Sequence, residues 1–228
     1  MEAIILAGGF GTRLSTIVQD VPKPMAPVAN RPFLEYILDE LIDNGVTRII
    51  LAVHYKKECI MEHFGCRYRT AEILYSVENA PLLTGGAVKR ALRICNESKV
   101  FIVNGDTYFH VPLARMVQAT VEMGKPVTIA IKQMRHFSRY GRVEFNNKGC
   151  ITKFHEKEPC ESGFINGGIY YLQRNILDNY PDKFSLESDC FPALLQTRDI
   201  LAFISDGYFI DIGVPEDFYA AQSYFEEK

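Results

Sequence analysis

The chain has 228 residues, 47% of them apolar and 23% charged, a balance that suits a globular protein able to bury about 70–75% of its unfolded surface. Its net charge of −3 argues against a nucleic-acid binder, which relies on a basic face, so an anionic ligand has to be held by local groups. No apolar run approaches the roughly 18 residues of a membrane span, and the chain starts on a strand without a charged-then-apolar leader.

A short apolar run, Ala3-Ile4-Ile5-Leu6, reads as the first strand. Behind it, Gly8, Gly9 and Gly11 let the backbone approach a ligand and present its N–H groups. Arg13 and Lys23 add two cations, which makes a polyphosphate site the leading reading. A dinucleotide fingerprint would need glycine where Leu14 stands and an acidic residue roughly 20 positions on. A P-loop would need Gly-Lys-Ser/Thr. The chain has neither. For Gly8-Gly9 alone a tight turn is the simpler account; Arg13 and Pro22-Lys23-Pro24 shift the balance.

A helix is expected from about Phe33 to Asn44, with Pro32 near its first turn, Phe33, Ile37, Leu38 and Leu41 on one face, and Gly45 as its stop. Strand 49–53, helix 58–64 and strand 72–77 follow, then a helix from Thr84 to Cys95 entered through Gly85-Gly86 and a strand 100–103. Such alternation implies a mostly parallel sheet with right-handed crossovers and ligands at the carboxyl ends of its strands. The second half is richer in strands (127–132, 142–145, 151–155, 163–172, 200–204 and 208–212), with short helices near 174–179 and 188–196 and a last helix over 215–225. No linker, repeat or low-complexity tract interrupts the chain. A single α/β domain over 1–228 is expected, with a nucleotide-handling half to about 110 and a substrate-handling half over 111–228.

Asp106 follows an apolar strand, and Asp211 lies in Ile210-Asp211-Ile212-Gly213. An aspartate at a strand end is often only a turn or helix cap. Two of them near a polyphosphate site suit a divalent cation, since Mg²⁺ takes one or two carboxylates plus phosphate oxygens and water. Glu78, Glu156 and Glu187 compete for that role. Lys157, after Phe154-His155-Glu156, is a candidate for a second anionic group, with an ordinary surface lysine as the plain alternative. Asn166-Gly167-Gly168 offers a small polar approach surface for a hydroxylated ligand, although a β-bulge would look the same. Six cysteines (Cys59, Cys66, Cys95, Cys150, Cys160 and Cys190) form no Cys-x-x-Cys pair. They fit reduced thiols in a cytoplasmic protein better than a disulfide framework or zinc site.

Taken together, Leu6-Ala7-Gly8-Gly9-Phe10-Gly11-Thr12-Arg13-Leu14, Pro22-Lys23-Pro24-Met25, Gly105-Asp106-Thr107, Phe154-His155-Glu156-Lys157, Asn166-Gly167-Gly168 and Asp211 through Glu216 give the chain its resemblance to a known family. Over essentially its whole length it resembles the sugar-1-phosphate nucleotidyltransferases (nucleoside-diphosphate-sugar pyrophosphorylases). Within them, VPKPMAP followed by PFLEY is most similar to bacterial D-glycero-α-D-manno-heptose 1-phosphate guanylyltransferases.

The resemblance implies a three-layer α/β/α Rossmann-like nucleotidyltransferase fold with a mixed, mostly parallel central sheet. It implies a sugar-1-phosphate oxygen attacking the α-phosphorus of a nucleoside triphosphate, with pyrophosphate leaving and no covalent enzyme intermediate. Catalysis would then be alignment and charge neutralisation. By residue, it implies that Arg13 holds the triphosphate and departing pyrophosphate and that Lys23 bridges the α-phosphate and incoming sugar phosphate. Asp106 and Asp211 would bind Mg²⁺, and Lys157 the sugar phosphate. Gly141, Glu156, Asn166 and Gly168 would approach the sugar hydroxyls. Leu6, Gly8, Gly9, Gly11 and Thr12 would surround the nucleotide, and Pro81, Leu82, Leu83, Thr84, Gly85 and Gly86 would form the rest of the base pocket. Glu78 stands where relatives that read uracil or thymine often carry Gln; a carboxylate suits the N1–H and N2–H₂ edge of guanine, which points to GTP.

One position and one segment depart from the family pattern: Leu83, commonly glycine, and Ser15 through Asp20, which lack a Pro-Leu-Thr. Mannose 1-phosphate or another hexose 1-phosphate is the nearby alternative substrate. A nucleotide-sensing regulatory subunit without turnover is the alternative of another kind, and the intact set Arg13, Lys23, Asp106, Lys157 and Asp211 argues against it. A homo-oligomer is left open, because neither a heptad pattern nor a long apolar patch is visible.

Overall fold

A computed structural model describes residues 1–9, 14, 17–18, 20–197 and 199–227. The first half alternates as its periodicity predicts: β1 (Glu2–Leu6), the short pair β2 (Pro27–Val28) and β3 (Arg31–Pro32), α1 (Phe33–Asp43), β4 (Arg48–Val53) and α2 (Lys57–Phe64). Then come β5 (Arg67–Tyr68), β6 (Ala71–Val77), α3 (Leu83–Ala91) and β7 (Lys99–Asn104). The second half comprises β8 (Thr107–Phe109), α4 (Leu113–Glu122), β9 (Val127–Phe137), β10 (Gly141–Phe145), β11 (Ile151–Lys157), β12 (Cys160–Gln173), α5 (Phe191–Leu195), β13 (Ile200–Ile204), β14 (Phe209–Asp211) and α6 (Pro215–Glu226).

Ten strands form one mixed sheet running β11-β10-β12-β7-β1-β4-β6-β5, with β9 beside β12 and β13 beside β9. Its centre is parallel: β7, β1, β4 and β6 all run the same way. From β12 outward the pairing turns antiparallel, and β13 returns parallel to β9. The central strands are apolar without a break because both faces are covered. Ala3 and Ile5 of β1, Ile49, Leu51 and Val53 of β4, and Phe101 and Val103 of β7 face one core, together with α1, α2, α4 and α6. The alternate residues Ile4, Ile50, Ala52, Val100 and Ile102 face the other, against α3 and α5. Period-two alternation in the strands thus builds the three layers.

Several boundaries differ from expectation. The helix expected to run from Thr84 to Cys95 ends at Ala91, and the chain turns through Leu92–Ile94. The helix near 188–196 divides into a wide-pitch turn, Leu186–Cys190, and a short α5. Helix α4 was not anticipated. Its core face is Leu113, Met116, Val117 and the polar Thr120, an i, i+3, i+4, i+7 stripe of one amphipathic helix, while Val121 lies outside it and is exposed. The Thr120 hydroxyl is accommodated by hydrogen bonds with the Met116 carbonyl and the Thr128 hydroxyl, both at 2.7 Å.

All six cysteines are free thiols; Cys95, Cys150 and Cys190 are buried and Cys66 is exposed. Burial pushes the Cys95 thiol up to about 12. Among the described residues no helix is long and apolar enough to cross a membrane.

Candidate active site

Parallel strands deliver their carboxyl ends to one edge of the sheet, and the segments leaving those ends build a crevice there. Gly8 and Gly9 leave β1, His54 leaves β4, Glu78 leaves β6, and Gly105-Asp106 leave β7. All of them line one cleft of about 430 Å³, within the range of roughly 300–1,000 Å³ common for small-molecule sites. Of the residues expected around a nucleotide or its phosphates, Leu6, Gly8, Gly9, Lys23, Glu78, Pro81, Thr84 and Asp106 lie on its wall. His54, Asn104, Glu187 and Gly213 join them without having been assigned a contact there. For His54 and Asn104 the signal was available, since each stands at the carboxyl end of a parallel strand.

At one end of the cleft the charges cluster. Lys23 opens a single 3₁₀ turn, Lys23–Met25, with prolines on both sides limiting its backbone. Its Nζ lies 2.6 Å from Asp106 Oδ2 and 3.6 Å from Asp211 Oδ1. The two aspartates meet because β14 pairs antiparallel with β8, placing Asp211 opposite Thr107, and because the Ile212 N–H donates to the Asp106 carbonyl at 3.0 Å. Asp211 Oδ1 is buried and receives no hydrogen bond from any described residue. Burial first, and then the Asp106 charge, push the Asp211 carboxyl above the usual carboxylate range, against the pull of Lys23 and Arg139. A buried carboxylate oxygen that has a 3.6 Å ion pair to Lys23 and no hydrogen bond from a described residue, beside a second carboxylate, is a fitting seat for a cation. Among the described residues no three His, Cys, Asp or Glu side chains converge, so a cation here would take these two carboxylates and complete its shell from phosphate and water.

At the other end Glu78 is buried, 7% exposed. Its Oε2 accepts the Leu82 N–H at 3.1 Å, while Oε1 faces Gly8, where an added Cβ would come within 3.3 Å of it. His54 Nδ1 lies 2.9 Å from the Glu78 carbonyl oxygen. Burial raises the Glu78 carboxyl above its ordinary value, and the Leu82 N–H partly offsets it. Glu187, a competitor for the cation on sequence grounds, is committed elsewhere. Its Oε2 accepts from Thr84 Oγ1 at 2.6 Å and Ser185 Oγ at 3.0 Å, and its Oε1 from the Tyr170 hydroxyl at 3.4 Å. Asn166 Nδ2 in turn donates to the Tyr170 hydroxyl at 3.1 Å, so one polar chain joins β12 to the start of α3.

Gly85 stands behind the wall rather than on it. Its N–H donates to the Phe184 carbonyl at 2.9 Å, and an added Cβ would overlap the Phe184 ring, so packing requires this glycine. Gly168 has φ +74° and sits against Asn104; a Cβ there would lie 2.7 Å from Asn104 Nδ2. Its N–H donates to Asn166 Oδ1 at 2.9 Å; neither residue is on the cleft wall, and Gly168 sits behind the wall residue Asn104. Gly141 pairs opposite Lys157, where a Cβ would run into the His155 carbonyl. Glu156 and Lys157 are exposed and are not on the cleft wall, because β11 is the outermost strand of the sheet. Gly11, Thr12 and Arg13 lie outside the described residues.

Known proteins share this architecture. The family described as "Nucleotidyl transferase" matches residues 2–228. Over 224 residues the chain is 44% identical to the D-glycero-alpha-D-manno-heptose 1-phosphate guanylyltransferase of Aneurinibacillus thermoaerophilus, covering 97% of each chain. It is 42% identical over 221 residues to the protein of the same name from Campylobacter jejuni subsp. jejuni, covering 96% of this chain and 97% of that one. The crystal structure of HddC from Yersinia pseudotuberculosis superposes with a TM-score of 0.90 at 36% identity, covering 98% of this chain and 99% of HddC. HddC complexed with GMP-PN superposes at 0.88 with the same coverage. A match from residue 2 to the last residue, on a fold shared with a protein of 36% identity, establishes that the chain belongs to the nucleotidyl transferase family.

Proposed function

We propose that this chain transfers the guanylyl group of GTP to D-glycero-α-D-manno-heptose 1-phosphate. A phosphate oxygen of the sugar 1-phosphate attacks the α-phosphorus, the bond from that phosphorus to the bridging oxygen breaks, and pyrophosphate leaves with the bond's electron pair. The carrying observation is the polarity of one cleft: at one end the buried Glu78 carboxylate, which among the described residues has a backbone N–H and no ion-pair partner, and at the other Lys23 between Asp106 and Asp211.

Glu78 supports guanine because a carboxylate accepts and never donates, and guanine presents two donors, N1–H and N2–H₂, on one edge. Each carboxylate oxygen has two lone-pair sites, so the Leu82 N–H on Oε2 leaves room for both. Uracil would set a carbonyl oxygen against it. Gly8 and Gly9 give the nucleoside close backbone approach, alongside Leu6, Pro81 and Thr84, with Gly85 seating the wall.

At the phosphate end Lys23 moves from the carboxylates to the α-phosphate and the incoming sugar phosphate, while Arg13, with Gly11 and Thr12, holds the departing pyrophosphate. Asp106 and Asp211 would hold a divalent cation, Mg²⁺ in this reading, which when bound neutralises charge on the phosphate oxygens. Asn166, Gly168 and Gly141 face the sugar, with Glu156 and Lys157 on its outer side taking a hydroxyl and the 1-phosphate. The nucleotide is then handled mainly by residues up to about 110 and the sugar phosphate by 111–228. The names of the relatives at 42–44% identity support the seven-carbon sugar over a hexose.

A matrix of nucleoside triphosphates against sugar 1-phosphates, scored by pyrophosphate release, tests the reading. GTP with the manno-heptose 1-phosphate should turn over fastest. A folded protein that binds GTP yet never releases pyrophosphate would remove the enzyme reading, and a preference for mannose 1-phosphate would replace the sugar.

A further inference from the structure

Leu83 opens α3 with φ +63°, in the left-handed region that glycine enters without strain and leucine does not. Its flanks leave it little choice. The Leu82 N–H is held by Glu78 at 3.1 Å and the Leu82 carbonyl by the Phe184 N–H at 3.2 Å. The N–H groups of Gly85 and Gly86 both point to the Phe184 carbonyl, at 2.9 and 3.1 Å. With the backbone pinned on both sides, the turn demands positive φ whatever side chain it carries. The chain nevertheless places a large apolar residue there and leaves it 51% exposed on the wall of the cleft.

In the unliganded protein this residue therefore carries two costs, backbone strain and an apolar side chain about half in water. A strained residue retained at a cleft indicates a contact made with the ligand. Its place in the sheet indicates which part: Leu83 belongs to the segment that leaves β6 with Glu78, and β4 and β1 separate β6 from β7, whose end carries Asp106. An apolar side chain there suits the flat face of a nucleobase, not a phosphate or a sugar hydroxyl.

We propose that Leu83 is a specificity-determining residue that covers the face of the bound guanine and shields from water the hydrogen bonds its edge makes to Glu78. This rests on the guanine-nucleotide reading of the cleft. Shielding matters because a hydrogen bond to a carboxylate discriminates most strongly where water cannot substitute for the lost partner.

Calorimetric titration with GTP, UTP and inorganic tripolyphosphate, without sugar phosphate, tests it on the wild type and on Leu83→Gly, Leu83→Ala and Leu83→Met. Removing the apolar cover should weaken GTP about tenfold or more in the Gly and Ala variants, the scale of losing most of a buried leucine. The volume-conserving Met should stay within about threefold. Tripolyphosphate should bind all four proteins alike, the GTP-to-UTP affinity ratio should fall in Gly and Ala, and the unliganded Leu83→Gly protein should melt at or above the wild-type temperature. Unchanged GTP affinity in Leu83→Gly and Leu83→Ala overturns the proposal, as does a large drop in their unliganded melting temperature, which would make Leu83 structural. A wild type that binds tripolyphosphate but not GTP would instead remove the guanine reading on which the proposal stands.

Discussion

Lys23 and Glu78 illustrate two ways of keeping a charged group inside a cleft. The Lys23 ammonium is only 12% exposed and sits against two carboxylates, so its charge is balanced by Asp106 and Asp211. Among the described residues Glu78 receives a backbone N–H and forms no ion pair, and burial raises its carboxyl above its ordinary value. The sign of the pH effect follows. The form that accepts from guanine is the carboxylate, and a raised pKa means that acidification protonates it sooner than an ordinary glutamate. GTP affinity should therefore begin to fall at a pH above the range of an unperturbed glutamate. Glu78→Gln should abolish that acid limb and shift preference toward UTP; titrations of both proteins across pH with both nucleotides check it, and an unchanged preference would remove Glu78 from base reading. Stability runs the other way. A raised folded-state value means that Glu78 contributes most below its unfolded value, a contribution lost as pH rises through the folded one. For the paired aspartates, Asp106→Asn and Asp211→Asn should each abolish cation-dependent turnover while leaving the melting transition cooperative. Retained activity in either would remove that residue from the cation site.

Helix α3 depends on close approach. Gly86 meets the Asp182 carbonyl so tightly that an added Cβ would overlap it, and would also lie 2.9 Å from Leu82 Cβ. Gly86→Ala should cost about 1–3 kcal/mol, the usual scale of overpacking, and should weaken GTP because Leu82, Leu83 and Thr84 move with the start of the helix. Urea unfolding and GTP titration of this variant check both effects; a stable variant with full affinity would show that the segment is less constrained than its contacts indicate. The glycines at 85 and 86 were legible as a helix entrance, but not their reason, because Phe184 and Asp182 lie about 100 residues away along the chain and only the fold brings them near. Helix α4 differs, because its signal is local: Leu113, Met116, Val117 and Thr120 recur at helical spacing. What only the fold supplies is Thr128 of β9, the partner that lets Thr120 be buried.

One ten-stranded sheet passes through both halves of the chain, so ligand binding at its edge is linked to the stability of the whole. A ligand at a hundredfold excess over its Kd stabilises the native state by about 2.7 kcal/mol, which for a chain of this size corresponds to roughly 5–11 °C in melting temperature. GTP at that excess should produce such a shift in a thermal melt, with UTP at the same concentration well below it; equal shifts would contradict base selection. The sequence alone determined the alternation of strands and helices, the parallel centre of the sheet and the edge where ligands gather. Those follow from local periodicity, from turn residues and from the rule that parallel strands end together. It also carried Gly8, Gly9, Lys23, Glu78 and Asp106 as residues of that edge, since each stands in or just after a recognisable segment. Asp106 and Asp211 were already paired as candidates; tertiary structure alone decided that the β8–β14 pairing is what joins them and that Glu187 is held by hydroxyls instead of left for a cation. It also decided that Glu156 and Lys157 lie outside the cleft wall and that Leu83 is forced into positive φ on it. Each of these depends on a partner distant in sequence, and such partners are selected by packing across the fold.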